Sequence, residues 1–256
     1  MISIRNVSHR IGTAPILHDI SLDIPGAGIT ALIGPNGAGK STLLNLVARL
    51  IPLGAGRIGV DGLDVARTPT RRLALKLAIV AQSLGVASRL RVRDLVGFGR
   101  WPHHRGRPTD EDRVAVEAAL AGFDLTDLSH RFLDELSGGQ QQRAFVAMGF
   151  AQGTDWLLLD EPLNNLDMYH ARALMKRIHA ATRPAAPHPR AVVMVVHEIN
   201  HVAAWADHVV ALKEGRLVLS GPPGEVLTGS VLSDLYGTEI RVEQFEGRPL
   251  VLHHLV

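Results

Sequence analysis

Between the apolar run ITALI at residues 29–33 and STLLNLVARLI at residues 41–51, which has helical periodicity, the chain carries GPNGAGKST. Few backbone paths satisfy that order: the chain must leave a strand, turn tightly on glycine and enter a helix at once. Such a turn points successive N–H groups inward, and the helix adds its positive end, so the loop is built to hold a phosphate. Gly34, Gly39, Lys40 and Ser41 match G-x-x-x-x-G-K-[ST] in the strand–loop–helix context that the pattern requires. Lys40 then reaches the β- and γ-phosphates of a nucleotide, and the Ser41 hydroxyl binds Mg²⁺. Gly34, Pro35, Asn36, Gly37, Ala38, Gly39, Lys40, Ser41 and Thr42 are the expected contacts.

A nucleotide loop also needs a carboxylate for the metal and a group that positions water. The continuous apolar run DWLLLDEP delivers Asp160 at its C-terminal end, where open α/β sheets bind ligands, with Glu161 next. Asp160 is the expected metal carboxylate, and Glu161 the group that orients and deprotonates the attacking water.

The rest of the chain reads as α/β. Residues 1–33 alternate in short apolar segments with turns at Gly12 and at Pro25-Gly26, and GRIGVDGLDV predicts a hairpin. RRLALKLA suggests a short helix, and IVAQ a buried strand ending at Gln82. From about residue 84 to 155 the texture is helical, including a helix capped by Thr109 with acids in its first turn and another opening just after Ser137. A helix around 168–182, a strand ending at His197 and a hairpin turning at Glu214-Gly215 follow, and RVEQFEGRPLVLHH forms a last hairpin.

Composition narrows the class. The chain has no Cys, which removes disulfides and thiolate metal sites. No apolar run approaches the ~18 to 20 residues of a spanning helix. A net charge of +2 gives no support for a polyanion, so no nucleic-acid partner is expected.

LSGGQ, residues 136–140, carries no acid, base or thiol, yet Ser137, Gly138 and Gly139 open a helix and so present a hydroxyl, N–H groups and a positive helix end to an anion. With it the chain resembles the ATP-binding cassette family, the nucleotide-hydrolysing subunits of ABC transporters, over essentially all of residues 1–235. The motifs stand in the family's order: Walker A at 34–42, the Q-loop glutamine at Gln82, the signature at 136–140, Walker B at 157–161, the D-loop at 164–167 and the switch histidine at His197. The resemblance implies a RecA-like P-loop core with an N-terminal antiparallel β subdomain and an inserted helical subdomain. One ABC ATPase domain would span 1–256, with its core at 1–83 and 156–235, the helical part at 84–155 and a tail at 236–256.

It also implies ATP and Mg²⁺ as ligands and two copies meeting head to tail. Ser137, Gly138, Gly139, Gln140 and Asp167 of one copy then complete the site that holds its neighbour's γ-phosphate. Glu161, His197 and Gln82 are the implied catalytic set, and Ser41, Gln82 and Asp160 the implied Mg²⁺ set. ATP closes the dimer and hydrolysis releases it.

Two local features depart from the pattern. Where the family places an aromatic residue that stacks on adenine, this chain has Ile11, with Arg10 beside it as a candidate guanidinium substitute. HEINH, residues 197–201, formally matches the zinc-protease motif H-E-x-x-H, which needs both histidines on one helix face, but AVVMVV puts His197 at a strand end and the spacing to His208 does not fit the extended motif, so zinc is only a remote alternative. His103, His104, His253 and His254 read as solvated pairs.

Within the family, GLDV (62–65), FGRWPHHRGRPT (98–109), ELSGGQQQRAF (135–145), DEPLNNLDM (160–168) and HEIN (197–200) are similar to the ATPases of iron(III)-siderophore importers; Glu198, where those have Asp, departs mildly. Haem and cobalamin importers have closely related ATPases. The resemblance implies transmembrane permease subunits, indirectly a periplasmic or extracellular substrate-binding protein, and a peripheral place on the cytoplasmic face of the membrane. A cassette ATPase of DNA repair or translation is the competing reading, set against it by one cassette and only 96 residues between Lys40 and Ser137. A small-molecule kinase or GTPase would leave LSGGQ without a task.

Overall fold

The computed structural model describes residues 1–81 and 89–252, and its contacts divide the chain into two compact units: Met1–Thr68 with Ala191–Val256, and Pro69–Arg190. Gln82, His253 and His254 lie outside the described residues.

The first unit carries strands of two larger sheets and, near its C-terminal end, a separate two-stranded hairpin, Arg241–Phe245 with Arg248–Leu252. One larger sheet is antiparallel, in the order Ala14–Ile24, Ile2–Ile11, Ala55–Val60, Leu63–Asp64, with Ile2 opposite both Ile24 and Val60. Ile2, Ile4, Val7, Leu17, Ile20, Ile58 and Val60 are buried, as expected of antiparallel strands that cover a core with one face. Its tight turns fall where the sequence predicts: Gly12, and Asp61-Gly62 with φ of 46° and 81° at the hairpin centre.

The other sheet is centred on Ile29–Ile33, all five residues buried, with Ala191–Val195 parallel on one side and His208–Lys213 parallel on the other. Arg216–Gly221 adds antiparallel to His208–Lys213 through the Glu214-Gly215 turn. A strand buried on both faces has no alternation to keep, which is why ITALI and AVVMV read as unbroken apolar runs. Asp207 fixes the start of the central strand, its Oδ2 accepting from the Ile29 N–H at 2.8 Å.

The second unit pairs Leu77–Val80 in parallel with Trp156–Asp160, with the helices Thr70–Ala74 and Gly138–Ala151 against the pair. Gly138–Ala151 lies close on that pair through Gly149, where an added Cβ would stand 2.8 Å from Val80 and 3.0 Å from Leu157. Asp110–Gly122 opens with the expected capping box: the Thr109 hydroxyl accepts from Asp112 N–H, and the Asp112 carboxylate accepts from Thr109 N–H.

The same carboxylate, 4% exposed, also receives Arg100 Nε at 2.9 Å, while Arg100 Nη1 reaches the Ala151 carbonyl at 3.1 Å. Burial works to raise the Asp112 carboxyl, but the Thr109 and Arg100 donors outweigh it and bring the group down to about 2. One arginine thereby ties the Asp110–Gly122 and Gly138–Ala151 helices together. No helix among the described residues is long and apolar enough to cross a membrane.

Candidate functional site

In the first unit the loop at 34–42 runs as the sequence predicts, out of Ile29–Ile33 and into the helix Lys40–Val47. Gly39, with φ 94°, stands at the helix N-cap and has no side chain to accept from the first-turn N–H groups, which leaves that positive end to an anion. Gly34 has φ 139°, and a Cβ there would come within 2.0 Å of the Leu212 carbonyl, so no other residue fits. Lys40 is 5% exposed, and its Nζ donates to the carbonyls of Gly34 at 2.7 Å and Pro35 at 2.9 Å, which holds the ammonium inside the curl of the loop.

Supports for this loop come from far along the chain. Gly215 N–H donates to the Ala38 carbonyl at 3.2 Å, and the Gly215 carbonyl accepts from His18 N–H at 2.8 Å. Tyr236, from the helix Gly229–Tyr236, brings its hydroxyl to the Gly34 N–H; burial pushes that hydroxyl up to about 12, against the opposing pull of the Gly34 donor. Neither support carries a local sequence signal.

His197 is exposed in the short turn between the strand Ala191–Val195 and the helix Ile199–Trp205. His201 lies inside that helix and His197 before it, so HEINH does not put two histidines on one helix face, and the zinc-protease reading fails. His103 Nε2 is engaged with the Gln152 carbonyl at 2.7 Å and His104 Nδ1 accepts from Gly106 N–H at 2.9 Å, so these two are structural contacts rather than a solvated pair. Ile11, 60% exposed, ends the strand Ile2–Ile11, and the neighbouring Arg10 guanidinium donates to the Thr13 carbonyl.

In the second unit Asp160, 2% exposed, closes the strand Trp156–Asp160. Glu161 follows with φ 52°, a left-handed conformation that a side-chain-bearing residue holds at a cost. Its carboxylate accepts from the Asn164 side chain, and its carbonyl from Asn164 N–H at 3.2 Å. Asn164, which the D-loop motif named without a task, thus holds the Glu161 carboxylate.

Asp167 caps the helix Met168–Thr182, accepting from His170 N–H and facing His170 Nδ1, both at 2.8 Å. Those contacts hold its carboxyl below the usual range, the His170 N–H first among them.

The signature residues open the helix Gly138–Ala151 through a reciprocal cap: the Ser137 hydroxyl accepts from Gln140 N–H at 3.3 Å and Gln140 Oε1 from Ser137 N–H at 3.0 Å. Gly138 and Gly139 sit against Asn165, where a Cβ on Gly139 would be 3.0 Å from the Asn165 carbonyl. Glycine is needed there so that the helix start lies on the 164–167 turn. Ser137 and Gly138 remain exposed, and the hydroxyl that accepts the capping bond still has a proton to give to an anion.

Residues 17–164 match the family model described as ABC transporter. Over 248 residues the chain is 43% identical to the petrobactin import ATP-binding protein YclP of Bacillus subtilis (strain 168), covering 97% of each. It is 36% identical over 245 residues to the iron(3+)-hydroxamate import ATP-binding protein FhuC of the same organism, covering 94% of this chain and 90% of the relative. A dimeric ATP-binding cassette solved in a post-hydrolysis state with ADP and Pi superposes with a TM-score of 0.76 at 25% identity, over 87% of this chain and 98% of that one.

Proposed function

The chain belongs to the ABC transporter family, whose cassettes bind and hydrolyse ATP and form dimers, and we propose on that premise that this ATPase powers an importer of iron(III)-siderophores through separate permease chains. The observation that carries the paired-copy ATPase mechanism in this reading is the exposed helix start at Ser137. It is a second glycine-bearing helix start, without acid or base, lying on the 164–167 turn and suited to an anion. A phosphate-hydrolysing chain has use for it only if it completes a phosphate site begun elsewhere.

In this reading residues 34–42 cradle the triphosphate and Lys40 leaves the Gly34 and Pro35 carbonyls for the β- and γ-oxygens. Ser41 and Asp160, with Gln82, offer the hard oxygen donors that suit Mg²⁺, which when bound neutralises charge on the β- and γ-phosphates. Glu161 takes the proton of the attacking water, Asn164 holds that carboxylate in place, and His197 contacts the γ-phosphate. Ser137, Gly138, Gly139, Gln140 and Asp167 grip the same nucleotide from the second copy. Closure is favoured because ATP contacts both copies only in the closed dimer.

Residues 1–256 then act as one ATPase domain with its core at 1–83 and 156–235, a helical part at 84–155 and a tail at 236–256. The protein sits peripherally on the cytoplasmic face of the membrane, beneath a permease supplied by a substrate-binding protein. Cargo does not touch the cassette, and the siderophore assignment leans on what the named relatives import.

A tagged chain expressed in its own cells is expected to bring down a multi-span membrane protein. Recovery of ribosomes or DNA with no integral membrane protein would overturn the reading in favour of a repair or translation ATPase. Ile11 lies at the place of the base-stacking aromatic, so Ile11→Tyr is expected to lower the Michaelis constant for ATP about three- to tenfold and to shift the ATP-to-GTP ratio. Unchanged constants for both nucleotides would place the base elsewhere.

A further inference from the structure

The last strands form an isolated two-stranded hairpin, Arg241–Phe245 with Arg248–Leu252. Two strands alone are marginally stable in water, so the hairpin is ordered by what it rests on. Its resting place is the helix Ile199–Trp205. The Asn200 carboxamide closes a two-way pair with one backbone residue, Nδ2 donating to the Val251 carbonyl at 3.1 Å and Oδ1 accepting from Val251 N–H at 2.9 Å, as a neighbouring strand would. Arg248 Nη1 donates to the Ala204 carbonyl at 2.7 Å, and Val251 is 3% exposed.

The helix it holds is seven residues long, too short to set its own position by helix propensity. It starts two residues after His197. On the strand side the His197 turn is held by Val196 N–H on the Leu32 carbonyl at 3.3 Å; on the helix side the anchors include the Glu198 cap on Asn200 N–H at 3.2 Å, the buried Ile199, Val202 and Ala203, and the hairpin. The same C-terminal stretch is tied down before the hairpin begins, with Ile240 N–H on Ser233 Oγ at 2.9 Å and the Tyr236 hydroxyl at Gly34 N–H.

We infer that the C-terminal hairpin is a positioning element for hydrolysis, and that Asn200 is the positioning residue through which it sets His197. The inference rests on the proposed role of His197 at the γ-phosphate. Because the phosphate loop is held by other contacts, losing the Asn200 pair loosens the turn that carries His197 and leaves nucleotide binding in place.

Steady-state ATPase kinetics of the full-length chain test it. Asn200→Ala is expected to lower kcat about fivefold with the Michaelis constant for ATP within about twofold. Arg248→Ala, a milder surface change that keeps the inference testable should Asn200→Ala fold poorly, is expected to lower kcat about twofold in the same pattern.

The decisive variant is the double one. If Asn200 acts through His197, then Asn200→Ala added to His197→Ala costs nothing further. An additive loss, an unchanged kcat in both hairpin variants, or a rise in the Michaelis constant that matches the fall in kcat would overturn the inference and leave the ATPase reading intact. A His197→Ala protein with wild-type kcat would instead remove the assigned role of His197, and the inference with it.

Discussion

Glu161→Gln is expected to bind ATP as the parent does and to hydrolyse it at least about 100-fold more slowly, the contribution typical of a positioned general base. The substitution is isosteric and keeps an oxygen for the Asn164 side chain to donate to, so that contact across the 161–164 turn is preserved. The left-handed backbone at φ 52° is no more strained with glutamine than with glutamate. What is lost is the negative charge and, with it, the capacity to take a proton from water. With hydrolysis stopped, nothing removes the γ-phosphate that bridges the copies, and the variant is expected to elute as an ATP-bound dimer on gel filtration where the parent elutes as a monomer. Brisk hydrolysis by Glu161→Gln would move the base to another residue; slow hydrolysis without dimer accumulation would separate the chemistry from closure.

Which parts of this site are legible in the sequence follows from how far apart the interacting groups stand along the chain. The phosphate loop is legible because its path is marked locally, by a buried run, glycines at positive φ and a helix that begins at Lys40, even though distant contacts also brace it. The cap at Thr109 and the start at Ser137 are legible for the same reason, since each is made with a residue three positions on. HEINH is legible too, once the apolar run AVVMVV before it is read as a strand that ends at His197. Its spacing is a helical signature, but AVVMV holds the backbone extended to Val195 and the helix begins only at Ile199, so a strand buried on all five residues overrides the local pattern. The contacts that position the site from a distance leave no local mark: Tyr236 at Gly34, Gly215 at Ala38, and Asn200 paired with Val251 across 51 residues. Each uses a backbone group on at least one side, and a backbone group has no residue identity to read.

Mixing two inactive variants is expected to restore activity that neither has. Lys40→Ala removes the ammonium held in the phosphate loop, and Ser137→Arg fills the exposed helix start that rests against Asn165, so each homodimer has a defect in both sites. A heterodimer distributes the defects unequally. The site that takes Lys40 from the Ser137→Arg chain and Ser137 from the Lys40→Ala chain is intact, while the other site carries both lesions. Random pairing in a 1:1 mixture makes about half the dimers mixed, so recovery of up to about a quarter of the parental rate per chain follows if the two sites turn over independently. Coupled sites would recover less, but more than the near-zero sum of the separate variants. The recovered rate should rise with total protein concentration, because the intact site exists only in a pair. If each chain instead formed a complete site by itself, mixing would restore nothing at any ratio, and the exposed Ser137 helix start would need another ligand.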